Sequence, residues 1–271
     1  MVSMKKWPVC IGVIVVILLW SGIVSAEENS LQRIQREGVL HAATEPAFEP
    51  FEFMKDGKIV GYGTDIAYEI AKRMGVRLDL QGMSFSAVLP SLITHKVDLA
   101  ATTIADTPER KKKVAFTRLI TNLKTVIVTS LDNNIESSTD FAGKNIGIQQ
   151  GSIIEPEIKR WDEQLTKNTG TGIGKIIAYQ AYPEILLALL NKQVDATAMP
   201  LPMAVSWLKK YPNQFKIIGD WESEDENCAW AVRKEDTALK QAINEALIAL
   251  QQDGTLETLQ VKWFGKSFRE F

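Results

Sequence analysis

Residues 95–102 read HKVDLAAT and residues 192–199 read KQVDATAM. Each follows a helical pattern: SAVLPSLITHK (86–96) in the first case and YPEILLALLNKQ (182–193) in the second. Each then turns through Val-Asp into a run of small and β-branched residues of the kind that fills a buried strand. A helix entering a Val-Asp strand, met twice in one chain, implies two similar α/β units with a cleft between them. Open α/β sheets take ligands at the carboxyl ends of their strands, which here means the residues just after Ala101 and Ala198.

The flanking sequence keeps the same alternation. VLHAATE (39–45) reads as a strand, and GYGTDIAYEIAKRMG (61–75) as a helix with Ile66, Ile70, Ala71 and Met74 on one face. VRLDLQGM (76–83) is the next strand. The pattern restarts with LKTVIVTS (123–130) and GKNIGIQQG (143–151) as strands and PMAVSWLKKYP (202–212) as a helix. CAWAVRK (228–234) reads as a strand and TALKQAINEALIALQQDG (237–254) as a long helix stopped by Gly254. Strand and helix units repeating every roughly 25–35 residues predict an α/β fold with largely parallel sheets.

Composition narrows the function. The chain has 271 residues, 45% hydrophobic and 24% charged, with a formal net charge of −2. That charge gives no bulk attraction to nucleic acid or anionic membrane. Lys5 and Lys6, the apolar run WPVCIGVIVVILLWSGI and the small residues Val24-Ser25-Ala26 read as a secretory signal over 1–26, cut after Ala26. An uncleaved anchor is the competing reading of so long an apolar run. Cys10 lies inside that run, away from the cleavage point, so no lipid-attachment cysteine is expected. Cleavage leaves Cys228 alone, without an internal disulfide, and as a buried small apolar residue.

The sharpest chemical signal is TTIADTPERKKK (102–113). Thr107 suits an N-cap, Pro108 the first helical position and Glu109 the first turn, so Arg110 sits one turn into a helix just past a strand end. Its planar guanidinium offers paired donors to a carboxylate, and helix-start amides can reinforce it. Lys111, Lys112 and Lys113 read as a solvated face. In QQGSIIEP (149–156), Gly151 and Ser152 precede a helix start and leave backbone amides open for an anion. His41 and His95 are the only histidines and supply neither a triad nor a metal site. TGTGIGK (169–175) has the wrong glycine spacing for a phosphate loop, with Ile176 where Ser or Thr is required, and reads as a mobile surface loop. No cofactor is expected.

PAFEPFEFMKDGKIVGYGTDIAYEIAKRMG, LPSLITHKVDLAATTIADTPERKKKVAFT, KNIGIQQGS, KQVDATAM and KQAINEALIALQQDGTLETLQVKWFG occur in this order. Together they resemble the family-3 extracellular solute-binding proteins, periplasmic amino-acid receptors of ABC importers, over about 27–268. The resemblance implies the two-lobed type II periplasmic binding protein fold, each lobe an α/β sandwich, joined by a two-strand hinge. Lobe one would be 27–121 with 229–271, and lobe two 122–228. The lobes would close on a small ligand, and the closed monomer would dock on an inner-membrane ABC permease.

The same resemblance assigns Arg110 to a ligand α-carboxylate and the Gly151-Ser152 pair to the same anion. It places Phe48 and Phe85 as aromatic walls and Glu45 toward the ligand's distal end, where a structural salt bridge is the alternative. Phe51 and Phe53 are expected in the core. Two positions depart from the pattern: Ala105 stands where the family has Thr or Ser, and Pro200 where it has an aspartate. Those lost groups hold an α-ammonium in the family, and a desolvated, half-paired cation is costly. Thr103 and Asp106 are the nearby substitutes. The implied ligand is a small carboxylate-bearing solute, an amino acid or related compound held in a changed way.

Two other functions are weighed against capture for transport. Cyclohexadienyl dehydratases share the fold, but the stretch after the second strand is MPLPMAV (199–205), which offers no general acid. A ligand sensor is the third reading. The chain ends at Phe271 without a second span, which favours a diffusible sensor over a fused one.

Overall fold

The computed structural model describes residues 28–221 and 226–267. The expected signal segment, 1–26, lies outside them. In chain order the elements are α1 (Ser30–Glu37), β1 (Val39–Thr44), β2 (Ala47–Phe48), β3 (Glu52–Lys55), β4 (Lys58–Val60), α2 (Tyr62–Arg73), β5 (Arg77–Gly82) and α3 (Phe85–Ile93). Next come β6 (Leu99–Ala105), α4 (Pro108–Lys111), β7 (Ala115–Leu123), β8 (Thr125–Ser130), β9 (Asn145–Gln149), α5 (Ile154–Thr169) and β10 (Lys175–Tyr179). The remainder are α6 (Tyr182–Leu190), β11 (Ala196–Pro200), α7 (Leu201–Lys210), β12 (Phe215–Asp220), β13 (Glu226–Val232), α8 (Thr237–Gln252) and α9 (Thr255–Phe264).

Two five-stranded sheets result, ordered β5-β1-β6-β13-β7 and β10-β9-β11-β8-β12. The Val-Asp strands, β6 and β11, are the middle strand of each. The expectation of largely parallel sheets needs correction: β1 runs parallel to β5 and β6, and β9 to β10 and β11, but β13, β7, β8 and β12 form antiparallel pairs. The reason is connectivity. LKTVIVTS is not one strand, because Lys124 separates β7 in the first sheet from β8 in the second. The chain returns to the first sheet between β12 and β13.

The repeated aspartate does the same work twice. Asp98 Oδ2 accepts from the His41 N–H at 3.4 Å, and Asp195 Oδ2 accepts from the Asn145 N–H at 2.7 Å. Each thereby ties its strand to the parallel neighbour.

The cores follow from the patterns. On one face of the first sheet, Ile66, Ile70, Leu239 and Ile243 from α2 and α8 are fully buried, and on the other α3 buries Val88 and Leu92. In the second, α5 sets Ile154, Ile158 and Leu165 against Ile127, Ile146 and Ile148. A small three-stranded sheet, β2-β3-β4, sits beside the first. Phe51 is 1% exposed there and packs against Phe48, Tyr62 and Phe264, whereas Phe53 is half-buried against Trp263. No helix among the described residues is long and apolar enough to cross a membrane.

Candidate functional site

A cavity between the sheets is lined from the first by Phe48, Phe85, Thr103, Ala105 and Arg110, and from the second by Gln149, Ser152, Tyr182 and Pro200. Its free volume, about 30 Å³, is water-sized rather than ligand-sized. A guest must part the sheets. A larger groove, about 190 Å³, is lined by Ser138, Trp161 and Trp221 and brings none of the sequence candidates together.

Arg110 reaches this cavity because TPER folds as expected at its start. Thr107 Oγ1 accepts from the Arg110 N–H at 3.3 Å, and Pro108 opens the helix. The expected help from helix-start amides is not found: α4 is a single turn, and the amide of Arg110 itself is taken by the cap. The guanidinium turns inward, lies 5.4 Å from the Phe85 ring, and donates at 2.9 Å to both the Ala105 and the Gly151 carbonyls. The second bond spans the cleft. Lys111 and Lys112 pair with Asp106 and Glu109 on the surface, so Asp106 is committed to an ion pair rather than to the cavity.

Gly151 and Ser152 lie where expected, but not as open amides. The Gly151 N–H donates to Glu155 Oε2 at 3.0 Å, and the Ser152 N–H to the Gln149 carbonyl at 3.2 Å. A carboxylate in the first turn of α5 out-competes solvent for such donors. Among the described residues, the buried group left without a partner there is the Ser152 hydroxyl, which lines the cavity. Gly151 has φ +77°, and a Cβ on it would come within 3.3 Å of Ser86, so the close approach of the two sides favours glycine.

Ala105 and Pro200, at the ends of the two middle strands, both line the cavity, Ala105 also through its carbonyl. Among the described residues Glu45 has no salt-bridge partner; it is 2% exposed, and its Oε1 accepts from the Gln149 amide across the cleft at 2.5 Å. Burial raises its pKa to about 8, although the Gln149 bond acts the other way. Thr103 donates to Glu52 at 3.3 Å, and Glu52 is 0% exposed. Burial first, then the neighbouring Glu45, push the Glu52 carboxyl well above the usual range.

Sequence reasoning passes over Gln149, Tyr182 and Glu52; Cys228 is buried as expected, but sequence reasoning does not foresee its place in the cavity wall. The one available signal is that Gln149 begins the QQGSIIEP exit already singled out. TGTGIGK lies largely at the surface, as expected of a loop there; Gly170 caps α5, and the Ile173 N–H donates to Asp162 at 2.6 Å. Among the described residues no cluster of His, Cys, Asp and Glu could hold a metal.

Two α/β sheets joined by two crossings, with an inward guanidinium in the cleft between them, define a two-lobed binding protein. The chain belongs to the bacterial extracellular solute-binding proteins, family 3, whose model matches residues 40–266. It is 29% identical to the arginine-binding extracellular protein ArtP of Bacillus subtilis, over 96% of this chain and 98% of the relative. Identity to the L-cystine-binding protein TcyJ of Escherichia coli is 28%, over 89% and 88%. A mutant of ArgBP from T. maritima superposes with a TM-score of 0.79 at 32% identity, over 87% of this chain and 99% of the other.

Proposed function

We propose that the protein captures an α-amino acid with a positively charged side chain and hands it to the permease of an ABC importer. The observation that carries this reading is that the Arg110 guanidinium lines the cavity while the buried acids Glu45 and Glu52 lie behind the same, first-sheet wall. A carboxylate is a stronger acceptor for a guanidinium than a peptide carbonyl, so the ligand's carboxylate takes the place of the Gly151 carbonyl on Arg110. Phe48 and Phe85 flank the aliphatic part. Glu45 answers a distal cation, which favours arginine over cystine among the ligands named for the relatives.

In this reading the lobes are 27–121 with 229–271 and 122–228, hinged where the chain crosses between sheets. The protein acts as a monomer without a cofactor. It is exported by cleavage after Ala26 and works in the periplasm, as a receptor and not an enzyme. Membership of an extracellular family and the arginine- and cystine-binding relatives support it.

The test is a thermal-shift and calorimetric panel of the common amino acids beside simple carboxylates. Arginine or lysine should stabilise most, with micromolar or tighter affinity. Binding of monocarboxylates alone, or of no amino acid, would refute the reading.

A further inference from the structure

Behind the first-sheet wall of the cavity lie two acids that the fold does not pair. Glu45 follows β1 and Glu52 opens β3; they are 2% and 0% exposed, and neither has a cationic partner among the described residues. Glu52 accepts from the hydroxyls of Thr102 and Thr103 at 3.3–3.4 Å, and Thr102 Oγ1 also takes the Glu45 N–H at 3.4 Å. Room for the Glu52 carboxyl exists because residue 63 is glycine: a Cβ there would lie 2.0 Å from Glu52 Oε1. Thr103, which holds Glu52, lines the cavity, and so does Gln149, which holds Glu45. Each acid is therefore one side chain away from a ligand.

The charged neighbours are otherwise engaged. β6 and β9 carry no ionisable residue. On β1, His41 contacts Asp79; on α2, Asp65 pairs with Lys262; on α6, Glu184 accepts from the Gln180 N–H. Lys55 and Lys58 of the small sheet are exposed. The ionisable groups that line the cavity in front of the two acids are Arg110, Tyr182 and Cys228. A buried carboxyl without a cation keeps its proton, and two neighbouring ones titrate as a unit.

We propose that Glu52 is a specificity-determining, positioning residue of the ligand site: with Glu45 it forms one proton-exchanging counter-charge, which releases a proton when a cationic group of the ligand binds against Thr103 and Gln149. The step balances simply. The protonated pair and the cationic ligand give the anionic pair bound to the cation, and the proton leaves to solvent. Glu52 thus supplies acid capacity for a site whose lining, with Ala105 and Pro200, contains none. The proposal rests on the amino-acid reading above.

Calorimetry of arginine and its neutral isostere citrulline tests it, run in phosphate and Tris, whose ionisation enthalpies differ. At pH 7, arginine should release about one proton per site, and its Kd should tighten up to about tenfold per unit from pH 6 to 8, because a proton is expelled on binding. Glu52→Gln should at least halve the proton count, flatten the pH profile and cut the arginine-over-citrulline preference about tenfold. Gly63→Ala, which displaces the carboxyl without removing it, should do the same in a chain that retains Glu52. Arginine binding with no buffer dependence in the unmodified protein overturns the proposal and leaves the functional reading standing. Failure of arginine and every other amino acid to bind sinks both.

Discussion

Asp98 and Asp195 occupy matching places in the two sheets, yet their surroundings differ. Asp98 is 4% exposed and meets two guanidinia, those of Arg33 and Arg233, the latter at 3.2 Å. Asp195 is half-buried and meets the side-chain amide of Asn133 and the backbone of Asn145. The same divergence marks the segments beyond the two strands. β6 leads to Ala105 and inward-turned Arg110, whereas β11 leads to Pro200 and α7 without a charge until Lys209. A repeated frame thus carries an uneven site: one side holds the guanidinium, the acids and the two phenylalanine rings, and the other supplies the Gln149 amide, the Ser152 hydroxyl and the Tyr182 ring. Discrimination resides on the first side, and the second mainly completes the enclosure.

The largest test of that contrast is in stability. Asp98→Ala takes one of two buried carboxylates from Arg233, leaving Asp236, and removing a partner from a buried ion-pair network should cost about 3 kcal/mol. Asp195→Ala should cost about 1–2 kcal/mol, the value of buried hydrogen bonds lost. Denaturant melts of both variants check this, and equal losses would break the comparison. Arg110→Ala should come next, weakening amino-acid binding at least about 100-fold by calorimetry, since it removes one partner of a desolvated charge pair. An unchanged Kd would dismiss Arg110 as the anion grip.

The third test uses pH. The folded pKa of Glu45 is raised, from 4.5 to about 8. Its stabilising contribution is therefore complete below the unfolded pKa and is lost as pH rises towards about 8. Thermal melts of the ligand-free protein should fall on the order of 2 kcal/mol between pH 5 and 7, and Glu45→Gln should flatten the slope. The smallest effect is expected on the second side. Gln149→Ala removes one cross-cleft bond and should raise Kd about tenfold, mainly through faster dissociation, as stopped-flow would record.

Local chemistry explains how much could be read in advance. The Val-Asp strands, the helices with 3.6-residue periodicity and the Thr-Pro-Glu-Arg cap are decided by neighbours in sequence, and all of them appear. Lys124 is decided by distant pairing, so a β-rich run conceals the passage from one sheet to the other. The Gly151-Ser152 amides are spent on Glu155 and Gln149, a choice made by the tertiary placement of α5. Glu52 is the hardest to foresee: beside Phe51 in FEF it resembles an outward-facing acid of an edge strand. Its burial depends on the missing side chain of Gly63 and on hydroxyls about fifty positions away.

Cys228 is 1% exposed and belongs to the cavity wall. That makes it a built-in reporter of opening. An alkylating reagent can meet the thiolate only when the two sides separate, so its modification rate follows the fraction of time the clamp gapes. Saturating solute should then protect the thiol, giving a chemical footprint of occupancy that requires no label on the guest.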